Sequence, residues 1–247
     1  MPALRERRAV EGVGGYVLAG GRSTRMGRDK ALLELGGEPL VRHAVHKLSR
    51  LTQEVHILSD RPELAGFAPL VPDLRPGFGP LGGMEAALAH TQYDWTLLLP
   101  VDMPFLPTML LEGWVRSVVA MPAARAALFT VEGVPQPALC LLHRELAPFV
   151  RSAAEEGRLK LYPVFEAAAT ELALRQQAPL SEVLLNRKWN DAEWDDRAVI
   201  AMSQGGPGDE RWGLSEAQLR ARHLWFANLN TPEEFAEAGR HVDALDT

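Results

Sequence analysis

The chain has 247 residues, of which 47% are hydrophobic and 23% are charged, and its net charge is −6. This composition is that of an ordinary globular protein, and it excludes a disordered or fibrous chain. The negative charge argues against nucleic acid as the main partner, because such proteins usually carry a basic face.

The first half of the chain alternates short apolar runs with helical patterns. We predict strands at 15–18, 54–58 and 95–99, and helices at 39–51, 82–90 and 107–119. Such alternation favours an α/β fold, with a mostly parallel sheet between two layers of helices as in Rossmann-like three-layer sandwiches. Ligands of these sheets bind outside the carboxyl ends of the strands.

The second half is less regular. We predict strands at 126–131, 137–142 and 223–229, and a helix at 144–156. Residues 179–215 combine tryptophans, an acidic cluster and a Gly-Gly-Pro-Gly run, and we interpret them as an insertion in a single domain spanning 1–247. Thr231, Pro232 and Glu234 match a helix start with a capping box.

Cysteine content and the N-terminus bear on the cellular compartment. The chain has one cysteine, Cys140, which lies in an apolar run and fits a buried core position better than a catalytic thiol. Residues 1–12 lack the apolar core of a secretion signal, and no run approaches the roughly 20 apolar residues of a membrane span. We therefore expect a cytoplasmic protein that binds neither membrane nor nucleic acid.

A glycine-rich loop follows the first predicted strand directly. It reads Leu18-Ala19-Gly20-Gly21-Arg22-Ser23-Thr24-Arg25-Met26-Gly27-Arg28-Asp29-Lys30. Glycines let the backbone turn its N–H groups toward an anion, and the cations add positive charge, so the loop suits a triphosphate. It matches neither the Walker A nor the dinucleotide-binding pattern. The alternative is a surface turn with solvated charges.

Two further segments offer polar groups near the same predicted edge. Asp102 follows the apolar run Leu97–Pro100, where a carboxylate suits Mg²⁺ bound to phosphate oxygens, although it could also cap the next turn. The segment from Val71 to Met84 is rich in glycine and proline and holds Asp73, a candidate for hydrogen bonding to a base or ribose. A rigid crossover turn is the alternative there.

Four segments in order carry a family resemblance. The loop resembles the Leu-Ala-Gly-Gly-x-Ser-x-Arg-Met-Gly-x-x-Lys signature of nucleotidyltransferases that activate small phosphorylated acceptors. Together with the Asp73–Met84 segment, Pro100-x-Asp102-Met103-Pro104 and Asn228–Glu234, it resembles the molybdenum cofactor guanylyltransferases. The resemblance spans residues 14–240 and implies a fold of the nucleotide-diphospho-sugar-transferase type.

The resemblance also implies roles for individual residues. Arg25, Lys30 and Asp102 would be catalytic, and Asp102 would bind the Mg²⁺ cofactor. The residues implied to bind the nucleotide are Leu18, Ala19, Gly20, Gly21, Lys30, Ser59, Asp73 and Asp102. The residues implied to bind the acceptor are Gly79, Pro80, Leu81, Gly82, Asn228 and Asn230. Ser59 departs from the family, which often has Asn after the second strand, and a hydroxyl offers fewer hydrogen-bonding groups than an amide.

The implied reaction transfers GMP from GTP to the terminal phosphate of molybdopterin and releases pyrophosphate. The substrates would be GTP and molybdopterin, with transient contacts to proteins that deliver or receive the molybdenum cofactor. Two alternatives remain at this point: a cytidylyl- or sugar-phosphate nucleotidyltransferase using the same loop, and a non-catalytic relative that only binds nucleotide.

Overall fold

A computed structural model describes residues 9–20, 29–190 and 214–246. In chain order the strands are β1 (Val13–Leu18), β2 (Glu34–Leu35), β3 (Glu38–Pro39), β4 (Val55–Leu58), β5 (Leu70–Val71), β6 (Trp95–Pro100), β7 (Ala126–Val131), β8 (Val134–His143) and β9 (Leu184–Trp189). The helices are α1 (Leu40–Ser49), α2 (Gly79–His90), α3 (Thr108–Val119), α4 (Ala147–Glu155), α5 (Leu161–Gln176), α6 (Leu180–Val183), α7 (Glu216–Arg220) and α8 (Pro232–Ala238).

Seven strands form one twisted sheet in the order β5-β4-β1-β6-β8-β7-β9, and β2 and β3 form a separate small ribbon. Neighbouring strands of the large sheet are parallel, except that β8 runs antiparallel to both β6 and β7. The predicted α/β fold with a mostly parallel sheet is therefore confirmed.

Both faces of the sheet are covered by apolar side chains. In β6, Leu97 and Leu99 join one buried cluster, whereas Leu98 joins the other, because successive side chains of a strand point to opposite faces. Every residue of β6 is buried, as is typical of a parallel strand with helices on both sides. Cys140 lies fully buried in β8, where burial raises the pKa of its thiol, so the predicted core role is confirmed.

The segment after residue 213 packs against one face of the sheet and returns the chain to its carboxyl edge. Trp225 and Phe226 are buried in an aromatic cluster, with ring centroids 5.1 Å from Trp189 and 4.9 Å from Phe129 respectively. Beyond them, the Leu229 N–H donates to the carbonyl oxygen of Asp102 at 3.1 Å. This contact places the Asn228–Glu234 segment beside the end of β6.

A buried ion pair fixes the C-terminal end of the chain segment that begins at residue 214. Lys47 Nζ on α1 donates to Asp246 Oδ2 at 2.7 Å, and the Lys47 side chain is only 2% exposed. The N–H of Thr108 donates to the same oxygen at 2.8 Å, and Gln218 donates to the other oxygen at 2.7 Å. The carboxylate therefore joins α1, α3 and α7.

Two predictions of the second half need correction. Residues 223–229 do not form a strand: Arg222–Leu224 is a 3₁₀ helix, and the following residues are irregular up to α8. Residues 180–189, which we assigned to an insertion, contain α6 and the edge strand β9 of the main sheet. Residues 191–213 lie outside the described residues, and for them the insertion stays a prediction.

Among the remaining helices, the predicted start of α8 is confirmed and α5 is an addition to the predicted elements. The capping box of Thr231 and Glu234 is present at the start of α8, with Pro232 in the first turn. Helix α5, which the sequence analysis did not predict, packs its alanine-rich face onto the sheet. Within the described ranges, we find no helix with the length and apolar character that a membrane crossing requires.

Candidate active site

Lys30 joins the glycine-rich loop to two distant parts of the chain. Its ammonium donates to Asp102 Oδ2 at 2.7 Å and to Asn230 Oδ1 at 2.6 Å, across 72 and 200 residues of sequence. Lys30 lies in the first turn of a short 3₁₀ helix, whose N-cap is Asp29. The ammonium therefore has a fixed position at the carboxyl edge of the sheet, between a carboxylate and an amide.

Asp102 keeps one oxygen available at this edge. Its side chain is 19% exposed, and Oδ2 is occupied by Lys30. Oδ1 is buried, and among the described residues it finds no hydrogen-bond partner. A buried carboxylate oxygen without a partner costs free energy, and it is the kind of hard donor that Mg²⁺ takes together with substrate phosphates. The residue present therefore fits a magnesium ion.

The end of β1 lies directly beside Asp102. The carbonyl oxygen of Leu18 accepts a hydrogen bond from the N–H of Val101 at 3.1 Å, which continues the pairing of β1 with β6. Ala19 is buried and Gly20 is exposed, so the chain emerges from the sheet within two residues. The predicted nucleotide-binding residues Leu18, Ala19 and Gly20 are thus adjacent to Asp102.

Arg61 connects the two ends of the loop. Its Nη2 donates to the carbonyl oxygen of Ala19 at 2.6 Å, and its Nη1 forms an ion pair with Asp29. The sequence analysis assigned no role to Arg61 or Asp29. The only signal available was an arginine shortly after β4, at the edge where ligands bind.

Ser59 contacts the same arginine. Its side chain is buried, and its Oγ accepts hydrogen bonds from the backbone N–H and the Nε of Arg61, each at 3.2 Å. The hydroxyl hydrogen remains as a donor, so Ser59 both orients Arg61 and can donate one hydrogen bond to a ligand.

Asp73 lies on the loop that precedes α2. It is half-buried, and burial together with the nearby carboxylate of Asp60 raises its pKa above the ordinary value. A Cβ on Gly82 would lie 3.5 Å from Asp73 Oδ2 and 3.3 Å from the carbonyl oxygen of Arg75. Glycine at position 82 therefore lets this loop fold closely over the start of α2.

The predicted acceptor residues Gly79, Pro80, Leu81 and Gly82 form the first turn of α2. Gly79 has φ +58°, a left-handed value that favours glycine. At Gly83 an added Cβ would lie 3.1 Å from Leu18, so α2 packs tightly against the end of β1. The amino end of α2 is thereby held next to the strand that begins the loop.

The Asn228–Glu234 segment is held by its own short-range contacts. Asn230 Nδ2 donates to the carbonyl oxygen of Asn228 at 3.1 Å, which turns its Oδ1 toward Lys30. The Glu234 carboxylate accepts from the N–H groups of Asn230 and Thr231, the latter at 2.8 Å. Asn228 and Asn230 were predicted at the end of a strand, and they lie instead on this capped loop.

These contacts bring Lys30, Asp102 and Asn230 together directly, with Leu18 and Ala19 alongside. Gly21 and Arg25 lie outside the described residues. His43 on α1 is buried, and its Nε2 contacts the carbonyl oxygen of Leu35 at 2.9 Å instead of these residues.

Comparison with known proteins identifies the family. Residues 15–171 match the family model for the MobA-like NTP transferase domain. A molybdenum cofactor guanylyltransferase of Vibrio atlanticus is 34% identical over 69% of this chain and 89% of its own length. The chain belongs to the MobA-like NTP transferases. The resemblance drawn from its motifs is confirmed.

The MobA-like match extends into the second half of the chain. A molybdenum cofactor guanylyltransferase of Rhizobium johnstonii is 31% identical over 94% of both chains. The crystal structure of molybdopterin-guanine dinucleotide biosynthesis protein A from Archaeoglobus fulgidus covers 94% of this chain and 100% of its own, with a TM-score of 0.64 and 19% identity. That structure supports the MobA-like fold over nearly the whole length.

Proposed function

We propose that this protein transfers GMP from GTP to the terminal phosphate of molybdopterin and releases pyrophosphate. The observation that carries the proposal is the Lys30 ammonium, held between Asp102 and Asn230 where the glycine-rich loop meets the sheet. The names of the full-length relatives support the guanine nucleotide and the molybdenum cofactor as substrates. Cytoplasmic location and transient contacts with cofactor-carrying proteins stay predictions.

The bond changes follow from the chemistry of the substrates. A terminal oxygen of the acceptor phosphate forms the new bond to the α-phosphorus of GTP, and the bond from that phosphorus to the β-phosphate bridging oxygen breaks. The acceptor oxygen is already an anion, so no strong general base is needed. Catalysis then depends on alignment of two anionic groups and on stabilisation of the charge that develops.

Lys30 is placed to stabilise that charge. Its side chain is 14% exposed, and both of its contacts fix the ammonium before substrate binds. A cation fixed in a partly dry site stabilises developing negative charge more than a mobile one in water, since less reorganisation is required. Arg25 is proposed to add a second positive charge, and it lies outside the described residues.

Asp102 is proposed to hold Mg²⁺ through its unpartnered Oδ1. When bound, the ion neutralises phosphate charge and orients the reacting oxygens. Asp102 also holds Lys30 through Oδ2, so one carboxylate positions both positive charges.

The nucleoside is proposed to lie between the end of β1 and the loop that carries Asp73. Guanine presents an N1–H and an N2 amino group as donors, and a carboxylate can accept from both. Ser59 can donate its hydroxyl hydrogen, and Leu18 to Gly21 offer main-chain groups. Burial and the carboxylate of Asp60 raise the pKa of Asp73, and hydrogen bonds donated by a guanine edge would favour its charged form.

The acceptor is proposed to bind at the first turn of α2, next to the loop that carries Asp73. The first turn of α2, from Gly79 to Gly82, has backbone N–H groups without helical partners and a positive helix end, both suited to a phosphate. Asn228 and Asn230 are proposed to contact the acceptor from the C-terminal segment, where the amide of Asn230 accepts from Lys30.

The test is pyrophosphate release from each nucleoside triphosphate, with and without molybdopterin and with and without Mg²⁺. The proposal predicts release that requires GTP, molybdopterin and Mg²⁺ together. Equal or greater release with CTP or UTP would favour the cytidylyl or sugar-phosphate alternative. Nucleotide binding without any release would favour a non-catalytic relative.

A further inference from the structure

Three side chains of types that can bind metal ions lie together in the C-terminal segment, and the proposed reaction does not use them. They are His223 on the 3₁₀ helix Arg222–Leu224, Glu237 on α8, and His241 four residues later. One ligand atom from each lies within 4.8 Å of the other two. We propose that His223, Glu237 and His241 bind a divalent transition metal of the zinc class, at a site separate from Asp102.

One of the three separations between ligand atoms already fits a tetrahedral ion. His241 Nε2 lies 3.4 Å from Glu237 Oε1. Ligand bonds of about 2.0–2.1 Å at tetrahedral angles put ligand atoms roughly 3.4 Å apart, so this pair already has the required spacing. The rings of His223 and His241 meet edge to face with centroids 5.4 Å apart, and the ligand atom of His223 lies within 4.8 Å of those of the other two residues.

The donor set selects the kind of metal. Two imidazole nitrogens and one carboxylate oxygen suit zinc and its neighbours in the first transition row, whereas Mg²⁺ prefers oxygen ligands throughout. Three protein ligands leave a fourth position for water. This chemistry differs from that of Asp102, so the two sites would not compete for one ion.

A neighbouring contact orients the carboxylate. Arg240 Nη1 donates to Glu237 Oε2 at 2.7 Å, which leaves Oε1 turned toward the imidazoles. Hydrogen bonds donated to a ligating carboxylate fix its orientation and contribute to metal affinity.

The place of the cluster in the chain suggests what a metal would do. His223 precedes and Glu237 follows the loop that carries Asn230, whose amide contacts Lys30. An ion joining the two would tie both ends of this loop together. We therefore assign the site a stabilising role for the C-terminal segment.

The test uses the full chain without an affinity tag, stripped with chelator and titrated with Zn²⁺ at pH about 7.5. Calorimetry should show one equivalent bound. His223→Ala, Glu237→Gln and His241→Ala should each weaken Zn²⁺ binding by roughly 10-fold or more. His46→Ala removes an exposed histidine on α1 and should bind as the parent does.

A second readout separates this site from the proposed reaction and from misfolding. Zn²⁺ at about 100 times its dissociation constant should raise the Tm of the parent by roughly 5–10 °C, and that of Glu237→Gln far less. An excess of Mg²⁺ should not displace the Zn²⁺. Undetectable binding, or equal affinity in the parent and all three variants, would overturn the proposal. Neither readout depends on GMP transfer.

Discussion

Arg61 Nη2 donates a hydrogen bond to the carbonyl oxygen of Ala19 across 2.6 Å. The same guanidinium pairs with Asp29, which precedes Lys30. Ala19 lies before residues 21–28 and Asp29 lies after them, so a single side chain holds both ends of the glycine-rich loop. The separation of the two ends of the loop is thereby set from the end of β4, whereas Lys30 itself is held by Asp102 and Asn230.

Replacing Arg61 with lysine should weaken GTP binding while leaving the chemical step almost intact. A lysine ammonium cannot reproduce a planar fork that bonds Ala19, Ser59 and Asp29 together. We expect the KM for GTP to rise about 10-fold, which corresponds to about 1.4 kcal/mol, with kcat changed less than about threefold. Steady-state kinetics at saturating acceptor measure this split.

Arg144→Lys is the matched control for the Arg61 variant, because Arg144 is exposed and lies on the 3₁₀ helix after β8. It should behave as the parent enzyme. A KM for GTP within twofold of the parent in the Arg61 variant would show that the contacts to Ala19 and Asp29 do not position the loop for nucleotide.

Removing the charge of Lys30 should abolish most turnover without unfolding the protein. Lys30→Met keeps the length of the side chain but leaves Asp102 and Asn230 without their shared donor. We expect kcat to fall by roughly 100- to 1,000-fold, the usual cost of losing one fixed electrostatic contact in an active site. Lys188→Met, on the exposed side of β9, is the control. Near-parent turnover in Lys30→Met, with a normal thermal transition, would remove Lys30 from the mechanism.

Asp102→Asn should abolish Mg²⁺-dependent turnover while the protein stays folded. Asparagine has the same shape, so the Tm should stay within about 3 °C of the parent, whereas a neutral amide is a poor ligand for Mg²⁺. Turnover should fall by roughly 100-fold or more at any Mg²⁺ concentration. The experiment is a Mg²⁺ titration of pyrophosphate release in both proteins. A parent-like Mg²⁺ response in the variant would place the metal elsewhere.

The placement of Asp102 shows how much of the site could be predicted from sequence. An all-apolar strand followed by a carboxylate is a local pattern that the sequence shows directly. Ligands of parallel sheets bind at the carboxyl ends of the strands, and this rule predicts that Asp102 lies near the glycine-rich loop. The capping box at Thr231 is equally local, and it was predicted correctly. Both features depend on neighbours within four or five residues.

The errors came where long-range packing decides the structure. Leu224, Trp225 and Phe226 form a consecutive apolar run that resembles a strand, yet they are buried as part of an irregular segment stacked on Trp189 and Phe129. Hydrophobic periodicity cannot tell whether such a short apolar run is a strand or another kind of buried segment. Strand β9 at the sheet edge is buried only at its two end residues, and the polar residues between them concealed it from the sequence analysis. Arg61 gave only the weak signal of an arginine shortly after β4, because its loop partners Ala19 and Asp29 lie 42 and 32 positions away.

The buried pair of Lys47 and Asp246 should control the stability of the C-terminal segment. Asp246→Asn leaves the Lys47 ammonium buried without a counter-charge, and we expect a loss of about 3–5 kcal/mol in the free energy of unfolding at neutral pH. The double variant with Lys47→Met should recover part of that loss. Urea unfolding of the parent, Asp246→Asn and the double variant measures these free energies. A double variant no more stable than Asp246→Asn would contradict the pairing.

The same pair predicts a pH dependence. Burial alone would raise the pKa of Asp246, but Lys47 and the hydrogen bonds from Thr108 outweigh it and hold the pKa below the ordinary value of 3.8. A depressed carboxyl pKa contributes stability that is complete above pH 3.8 and is lost as the pH falls through the lower, folded value. The stability gap between the parent and Asp246→Asn should therefore shrink only under acidic conditions below that range.

The central claim is that the α-phosphate of GTP passes to molybdopterin, and isotope tracing tests it most directly. With molybdopterin and Mg²⁺ present, label at the α-phosphorus should appear in a guanine–pterin dinucleotide, and label at the γ-phosphorus should appear in pyrophosphate. Both products should form in equal amounts. Retention of the α-label in GMP with pyrophosphate as the other product, retention in GDP with free phosphate as the other product, or transfer from CTP instead of GTP, would contradict the account.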